Sequence, residues 1–160
     1  MKKVKVGVVG YGVIGQRLAD GVAKQEDMQL VGIVDLAPTL SIRALREKGM
    51  PYDLYLVDMD KKGEFDALDI PVSGSMRDLL GKVDVVLDSS PGGVGAKNKV
   101  LYDEFGVKAI FQGGEKNSVA DVFFHGYANY EKGLGQKSLK LTSCNTTGLI
   151  RSVDCLDRAY

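Results

Sequence analysis

The sequence predicts an α/β protein built on an open, doubly wound, mostly parallel sheet, and three features of the chain carry that prediction. Short apolar runs alternate with amphipathic stretches along the chain, the rhythm of repeated strand–helix–strand units. Strands separated by crossovers of helical length pair in parallel, through right-handed connections. The first unit places a glycine-rich turn, Gly10-Tyr11-Gly12-Val13-Ile14-Gly15, between a strand and a helix.

Taken in order, 4–9 is a buried strand and 13–24 a helix with Ile14, Leu18, Val22 and Ala23 on one face. Strand 30–34 and helix 41–48 follow, the latter terminated by Gly49 and Pro51. Residues 53–57 form a third strand, 58–69 a charged surface excursion and 70–73 a short strand. Ser75 caps a helix over 76–81. Strand 83–88, the glycine-rich loop 92–95, helix 95–105 and strand 107–111 come next. Segments 121–127 and 138–142 are extended, and 146–158 is helical. Ligands of such sheets bind beyond the carboxyl ends of the strands. Four loops fall there: 10–15, 35–38, 89–95 and 112–116.

The 160 residues suit one domain with a sizeable core, and no repeat or linker interrupts them. Lys plus Arg and Asp plus Glu each number 21, so no global basic field recruits nucleic acid. No apolar run is long enough to span a bilayer. The N-terminal MKKVKVGVV is soon broken by glycines and lacks a small-residue cleavage site, which predicts a cytoplasmic chain. Cys144 and Cys155 flank one helix at roughly 15 Å by helical rise, beyond disulfide reach. They are expected to be thiols. No metal-ligand cluster is evident.

In the G-x-G-x-x-G turn each glycine has a mechanical task. Gly10 permits the tight turn, Gly12 lets backbone approach a pyrophosphate, and Gly15 allows the helix to pack closely on the strand. The N–H groups of Val13 and Ile14 lie at the helix start, where free donors and the dipole favour phosphate. Asp35 ends the next strand, 20 residues after Gly15, placed to accept from both ribose hydroxyls of NAD. The 2′-phosphate of NADP would meet like charge there, costing on the order of 1–4 kcal/mol, which Arg43 offsets only if its helix turns to the same pocket. NAD is the preferred cofactor and NADP the second candidate. The competing reading is a structural glycine turn with a solvated aspartate.

Ser143-Cys144-Asn145-Thr146-Thr147-Gly148 follows the strand LKLT and opens the last helix. A sulfur there sits at the positive end of the helix dipole, beside backbone donors suited to an oxyanion. The competing reading is a small buried cysteine.

GYGVIGQRLADGV, PGGVGAKNK, AIFQGGEK with ANYEKGLG, and SCNTTGL together resemble the archaeal-type (type II) glyceraldehyde-3-phosphate dehydrogenases, a likeness running over essentially the whole chain. The resemblance implies an NAD(P)-binding Rossmann-type domain over 1–142 and the beginning of a catalytic domain over 143–160. It implies Cys144 as the nucleophile that forms a thiohemiacetal and then a thioester. Ser143, Asn145 and Thr146 would contact substrate. Gly10, Gly12, Val13, Ile14, Gly15 and Asp35 would hold the cofactor, with Gly114 near its nicotinamide. The implied ligands are a phosphorylated aldehyde and inorganic phosphate, and the implied full-length assembly is a homotetramer. Asp35 departs from the family, whose members accept NADP readily. The family's histidine base and phosphate-binding basic residues would lie downstream of Tyr160, so the 160 residues alone are expected to turn over poorly. His125, the only histidine, lies outside that base's position and reads as a surface or strand residue rather than a catalytic contact. A non-catalytic NAD-binding module is the alternative function, and a semialdehyde dehydrogenase reusing the turn a third. SCNTT speaks against the module and QGGEK with SCNTTGL against the third.

Overall fold

The computed structural model describes residues 2–160. Along the chain, β1 (Val4–Val9) leads into α1 (Val13–Ala23), β2 (Met28–Asp35), α2 (Leu40–Glu47) and β3 (Leu54–Leu56). Then come α3 (Lys62–Asp66), β4 (Gly74–Ser75), α4 (Met76–Leu80), β5 (Val85–Asp88) and α5 (Val94–Phe105). The remainder is β6 (Lys108–Phe111), β7 (Val122–Phe124), α6 (Tyr130–Gly133), β8 (Ser138–Leu141) and α7 (Cys144–Ala159). Among the described residues these strands form one eight-stranded sheet in the order β4-β3-β2-β1-β5-β6-β8-β7, and every pairing is parallel.

Side-chain alternation explains why both faces are covered. Val8, Ile33, Leu54 and Leu56 pack with Ala19 of α1, Ile42 of α2 and Phe65 of α3. Their strand neighbours Val9, Val34 and Tyr55 point the other way and pack with Leu79 of α4 and Tyr102 of α5. A strand buried on both faces reads as a continuous apolar run, as in VGVV at 6–9 and GIV at 32–34. Each fully buried Leu, Ile or Phe contributes about 1.5–3 kcal/mol.

Beyond shifts of a few residues at element ends, and α6, which the sequence reading did not include, the structure departs from that reading at four places. The buried face of α1 is Gly15, Ala19 and Val22, with Leu18 half-buried, while Ile14 and Ala23 are exposed. Residues 58–69 are not merely a surface excursion: a one-turn 3-10 helix and α3 sink Phe65 completely, and Ile70 follows it in. The short strand expected at 70–73 sits at Gly74–Ser75 instead. Asp69 takes a positive φ of 50° and Pro71 has no N–H to donate, so pairing resumes only past them. Finally α7 begins at Cys144 itself. The helix over 76–80 starts as expected, with Ser75 and Asp78 forming a reciprocal capping box.

Among the described residues no helix is long and apolar enough to cross a membrane, and no group of three His, Cys, Asp or Glu side chains is placed to hold a metal ion.

Candidate active-site cleft

Strand order reverses at β1: the chain works outward through β2, β3 and β4, then returns to β5 on β1's other side. The crevice beyond the carboxyl ends of β1 and β5 is therefore the topological switch point of the sheet. The glycine turn occupies it. Gly10 takes a φ of +83°, and its N–H donates to Val34 O at 2.9 Å. The Ser89 hydroxyl lies 2.6 Å from Gly10 O. A Cβ on Gly15 would stand 1.9 Å from that same carbonyl oxygen, so α1 can approach β1 only with glycine there. In front of Gly12 a Cβ would meet no atom within 4 Å. That is open space at a helix N-terminus, as a pyrophosphate needs.

Asp35 is tied into the same turn rather than free in solvent. Its Oδ2 accepts from the Tyr11 N–H at 3.0 Å and its Oδ1 from the Leu36 N–H at 2.7 Å. The carboxylate retains lone pairs for further donors. Arg43 is exposed on α2, and its Nε donates to Pro38 O at 3.0 Å, within the loop that follows Asp35. The Tyr11 ring is buried under the turn, and burial together with the Asp20 charge pushes its phenol up to about 12. It stays neutral at physiological pH.

A buried carboxylate anchors the other side of the crevice. Asp88, at the end of β5, is 1% exposed. It accepts from the Ser90 N–H at 2.9 Å, the Ser90 hydroxyl, Asn98 Nδ2 at 3.1 Å and the Tyr102 hydroxyl at 2.6 Å. Hydrogen bonds to a charged acceptor contribute about 1.5–3 kcal/mol apiece. Burial, then the Asp88 charge, pushes the Tyr102 phenol well above its ordinary range, so it remains a donor. The loop after β5 is thereby fastened to α5, and the loop after β6 rests on it. A Cβ on Gly113 would come within 2.3 Å of Ser90 O.

These loops and the start of α7 enclose a cleft of about 730 Å³. Ile14 of α1 forms one wall, Gln112, Gly113 and Gly114 a second, and Ser143, Cys144 and Thr146 a third. The sequence segments read as cofactor turn, QGG loop and cysteine junction, far apart in the chain, thus meet in one cavity. Ser143 caps α7, accepting from the Thr146 N–H at 3.2 Å, and Cys144 is the first residue of the helix proper. The thiol is exposed, as is that of Cys155, and both are free. Asn145 is also exposed, its Oδ1 lying 3.8 Å from Cys144 Sγ. The turn glycines and Asp35 do not line this cleft. They lie along the crevice at β1 and β2, so the predicted residues divide into a nucleotide stretch and a thiol stretch joined at Ile14. Val13 is 71% exposed at the same helix start.

His125 is not in the cleft. It is 8% exposed, and its Nδ1 accepts from the Tyr127 and Ala128 N–H groups at 3.2 and 3.3 Å. That satisfied turn histidine corrects the surface reading and argues against a catalytic contact.

Lys140, Phe123 and Glu115 also line the cleft and were not singled out in the sequence. Glu115 caps α5: its Oε1 accepts from the Gly95 N–H at 2.9 Å, which takes up a donor of the glycine-rich loop at 92–95. Lys140 gave no signal in the sequence. In Ser138-Leu139-Lys140-Leu141 the polar members are buried and the leucines only half-buried, the reverse of what the alternation leads one to expect.

No family model matches the chain. Its sequence is 50% identical to glyceraldehyde-3-phosphate dehydrogenase of Pyrococcus abyssi over 96% of the chain and 46% of that protein. The enzyme of the same name from Aeropyrum pernix is 46% identical over 100% of the chain and again 46% of its own length. The chain thus spans about half the length of the curated relatives it matches. Among solved structures, aspartate semialdehyde dehydrogenase II of Vibrio cholerae superposes with a TM-score of 0.61 at 16% identity, covering 93% of the chain and 44% of that structure. That likeness is one of fold. The level of identity, maintained end to end, makes this chain a homologue of the archaeal-type glyceraldehyde-3-phosphate dehydrogenases, matching just under half of their length.

Proposed function

We propose that the chain supplies the dinucleotide site and the nucleophile of a phosphorylating glyceraldehyde-3-phosphate dehydrogenase. The observation that carries the proposal is the cleft in which Ile14 of the glycine turn, the Gln112–Gly114 loop and Cys144 converge. In this reading the pyrophosphate of a nicotinamide dinucleotide lies against Gly12 and the N–H groups of Val13 and Ile14. Asp35 takes the ribose hydroxyls, which favours NAD over NADP by charge. Gly114 lies beside the nicotinamide end, whose chemistry when bound is to accept a hydride.

The chain's own residues perform the rest. The Cys144 sulfur adds to the aldehyde carbon, forming a carbon–sulfur bond, and the carbonyl oxygen becomes the hydroxyl of a thiohemiacetal. Loss of hydride from that carbon and of the hydroxyl proton to a base leaves a thioester. Inorganic phosphate then attacks the acyl carbon, the carbon–sulfur bond breaks, and an acyl phosphate departs from the Cys144 thiolate. The N-terminal N–H groups of α7 stabilise the oxyanions on both sides of the thioester, and Ser143, Asn145 and Thr146 orient the substrate. Residues 1–142 form the dinucleotide domain, and 143–160 open the catalytic one. No histidine lines the cleft among the described residues, and the hydroxyl proton needs an acceptor. Slow turnover by these 160 residues alone follows.

The test is acylation. Incubation with glyceraldehyde 3-phosphate and NAD, without phosphate, should add a phosphoglyceroyl group to Cys144 and not to Cys155, as read by peptide mass spectrometry. The adduct should be absent without NAD and in Cys144→Ser. A chain that binds NAD yet gives no adduct after prolonged incubation would instead be the non-catalytic binding module.

A further inference from the structure

We propose that Lys140 is the cation that draws and orients anions at the Cys144 sulfur. The proposal rests on the reading of the cleft as the substrate site, and the ligand class it names is a phosphate group. Lys140 is 6% exposed, and it lines the cleft that contains Cys144. Phe111, Lys140 and Phe123 are register partners across β6, β8 and β7, so the lysine stem lies in a row between two aromatic side chains on one face of the sheet. Its Nζ donates to Leu141 O at 2.7 Å and stands 6.0 Å from the centre of the Phe123 ring.

A carbonyl and a ring face are weak compensation for a buried ammonium. Of its three donors, one is committed to protein. Among the described residues no carboxylate forms an ion pair with it. Glu115, the acidic residue of the same cleft, is held by the Gly95 N–H on the side of α5. Burying a charge without a counter-charge is costly, and the cost is recovered when an anion enters. The anion would then lie between Lys140 and the first turn of α7, whose leading N–H groups lack intrahelical acceptors. Lysine acts on phosphate as a point charge, which suits a site that has to admit more than one phosphate-bearing species.

The experiment uses the full chain with Cys155→Ser, so that Cys144 is the sole thiol. Cys144 is alkylated with iodoacetate and with iodoacetamide, reagents of similar size that differ in charge. Any change in thiolate content affects both rates alike and cancels in their ratio. Lys140→Met, which retains the stem, should lower the iodoacetate-to-iodoacetamide ratio by about 3- to 30-fold, the factor expected when the ammonium reaches to within roughly 4–6 Å of the reagent's carboxylate at an effective dielectric of about 40–80. Lys140→Arg should hold the ratio within about twofold, since it keeps the charge. Inorganic phosphate or glycerol 3-phosphate should slow alkylation in the parent and not in Lys140→Met. Protection by one of the two alone identifies whether free or esterified phosphate is preferred.

An unchanged ratio in a Lys140→Met chain that melts cooperatively would overturn the proposal. So would an equal loss in Lys140→Arg, or protection by neither phosphate. Rapid alkylation with an unchanged ratio removes Lys140 and leaves the nucleophile standing. Alkylation at the rate of a simple thiol, with the ratio still dependent on Lys140, does the reverse.

Discussion

Gly12 and Gly15 occupy the same turn, yet alanine at the two positions should have opposite consequences. At Gly15 the new Cβ would lie 1.9 Å from Gly10 O and 3.0 Å from the Ser89 hydroxyl. Ordinary contact begins near 3.4 Å, so the helix or the turn has to yield by about 1.5 Å. Gly10 is poorly able to do so. Its φ is +83°, its N–H is bonded to Val34 O, and its carbonyl lies within reach of Ser89. Overpacking of this kind costs about 1–3 kcal/mol, against which alanine recovers roughly 0.5–1 kcal/mol through chain entropy and helix propensity. A net loss of about 1–2 kcal/mol should lower the melting temperature by roughly 2–8 °C for a chain of this size. At Gly12 no atom lies within 4 Å, and the fold should change by no more than about 1 kcal/mol, the scale of an N-cap effect. The methyl would instead occupy space assigned to the pyrophosphate, and NAD affinity should fall at least about tenfold. Calorimetric melting and NAD titration of both variants decide the matter. A Gly12→Ala chain that binds NAD like the parent, or a Gly15→Ala chain of undiminished stability, would refute the reasoning.

Other outcomes follow from the same contacts. Cys144→Ala should leave NAD affinity unchanged by titration, because the glycine turn is a separate structure. Asp35→Asn removes the charge while keeping an acceptor for the Tyr11 N–H, and the NADP-to-NAD affinity ratio should rise at least about tenfold, the low end of the like-charge range. Phe65→Ala empties a fully buried site and should cost about 3–5 kcal/mol by denaturant titration. Acid should loosen the protein at two aspartates. The Ser75 hydroxyl and N–H hold Asp78 below the ordinary carboxylate range, and the Ser138 N–H and hydroxyl do so for Asp121. A depressed folded value gives stability that is present above the unfolded pKa near ~4 and is lost as pH falls through the folded one. Melting temperature should therefore drop through and below pH ~4, and less steeply in Asp121→Asn.

The strands and their parallel pairing were readable because both sheet faces are covered, which leaves short uninterrupted apolar runs such as 6–9. The glycine turn was readable because each glycine answers a local steric demand. The segment 58–69 misled because its anchors, Phe65 and Ile70, are single apolar residues in a charged stretch. Their burial depends on packing with Ile42, Leu45, Leu54 and Leu56, which no local pattern announces. Asp88 and Lys140 escaped for a related reason. A charged residue ending or interrupting a strand looks solvated until its partners arrive from distant segments, as Asn98 and Tyr102 do for Asp88. The thiol stretch was legible as chemistry, but its meeting with Ile14 and Gly114 is a property of strand order, set where β8 inserts between β6 and β7.

The central claim is that the glycine turn and Cys144 serve one ligand. Protection of Cys144 from iodoacetamide by NAD, measured in the Cys155→Ser chain, tests it most directly. Saturating NAD should slow alkylation severalfold, with a half-point equal to the dissociation constant from titration, and Gly12→Ala should shift both by the same factor. NAD that binds at the turn while Cys144 reacts at its unprotected rate would contradict it.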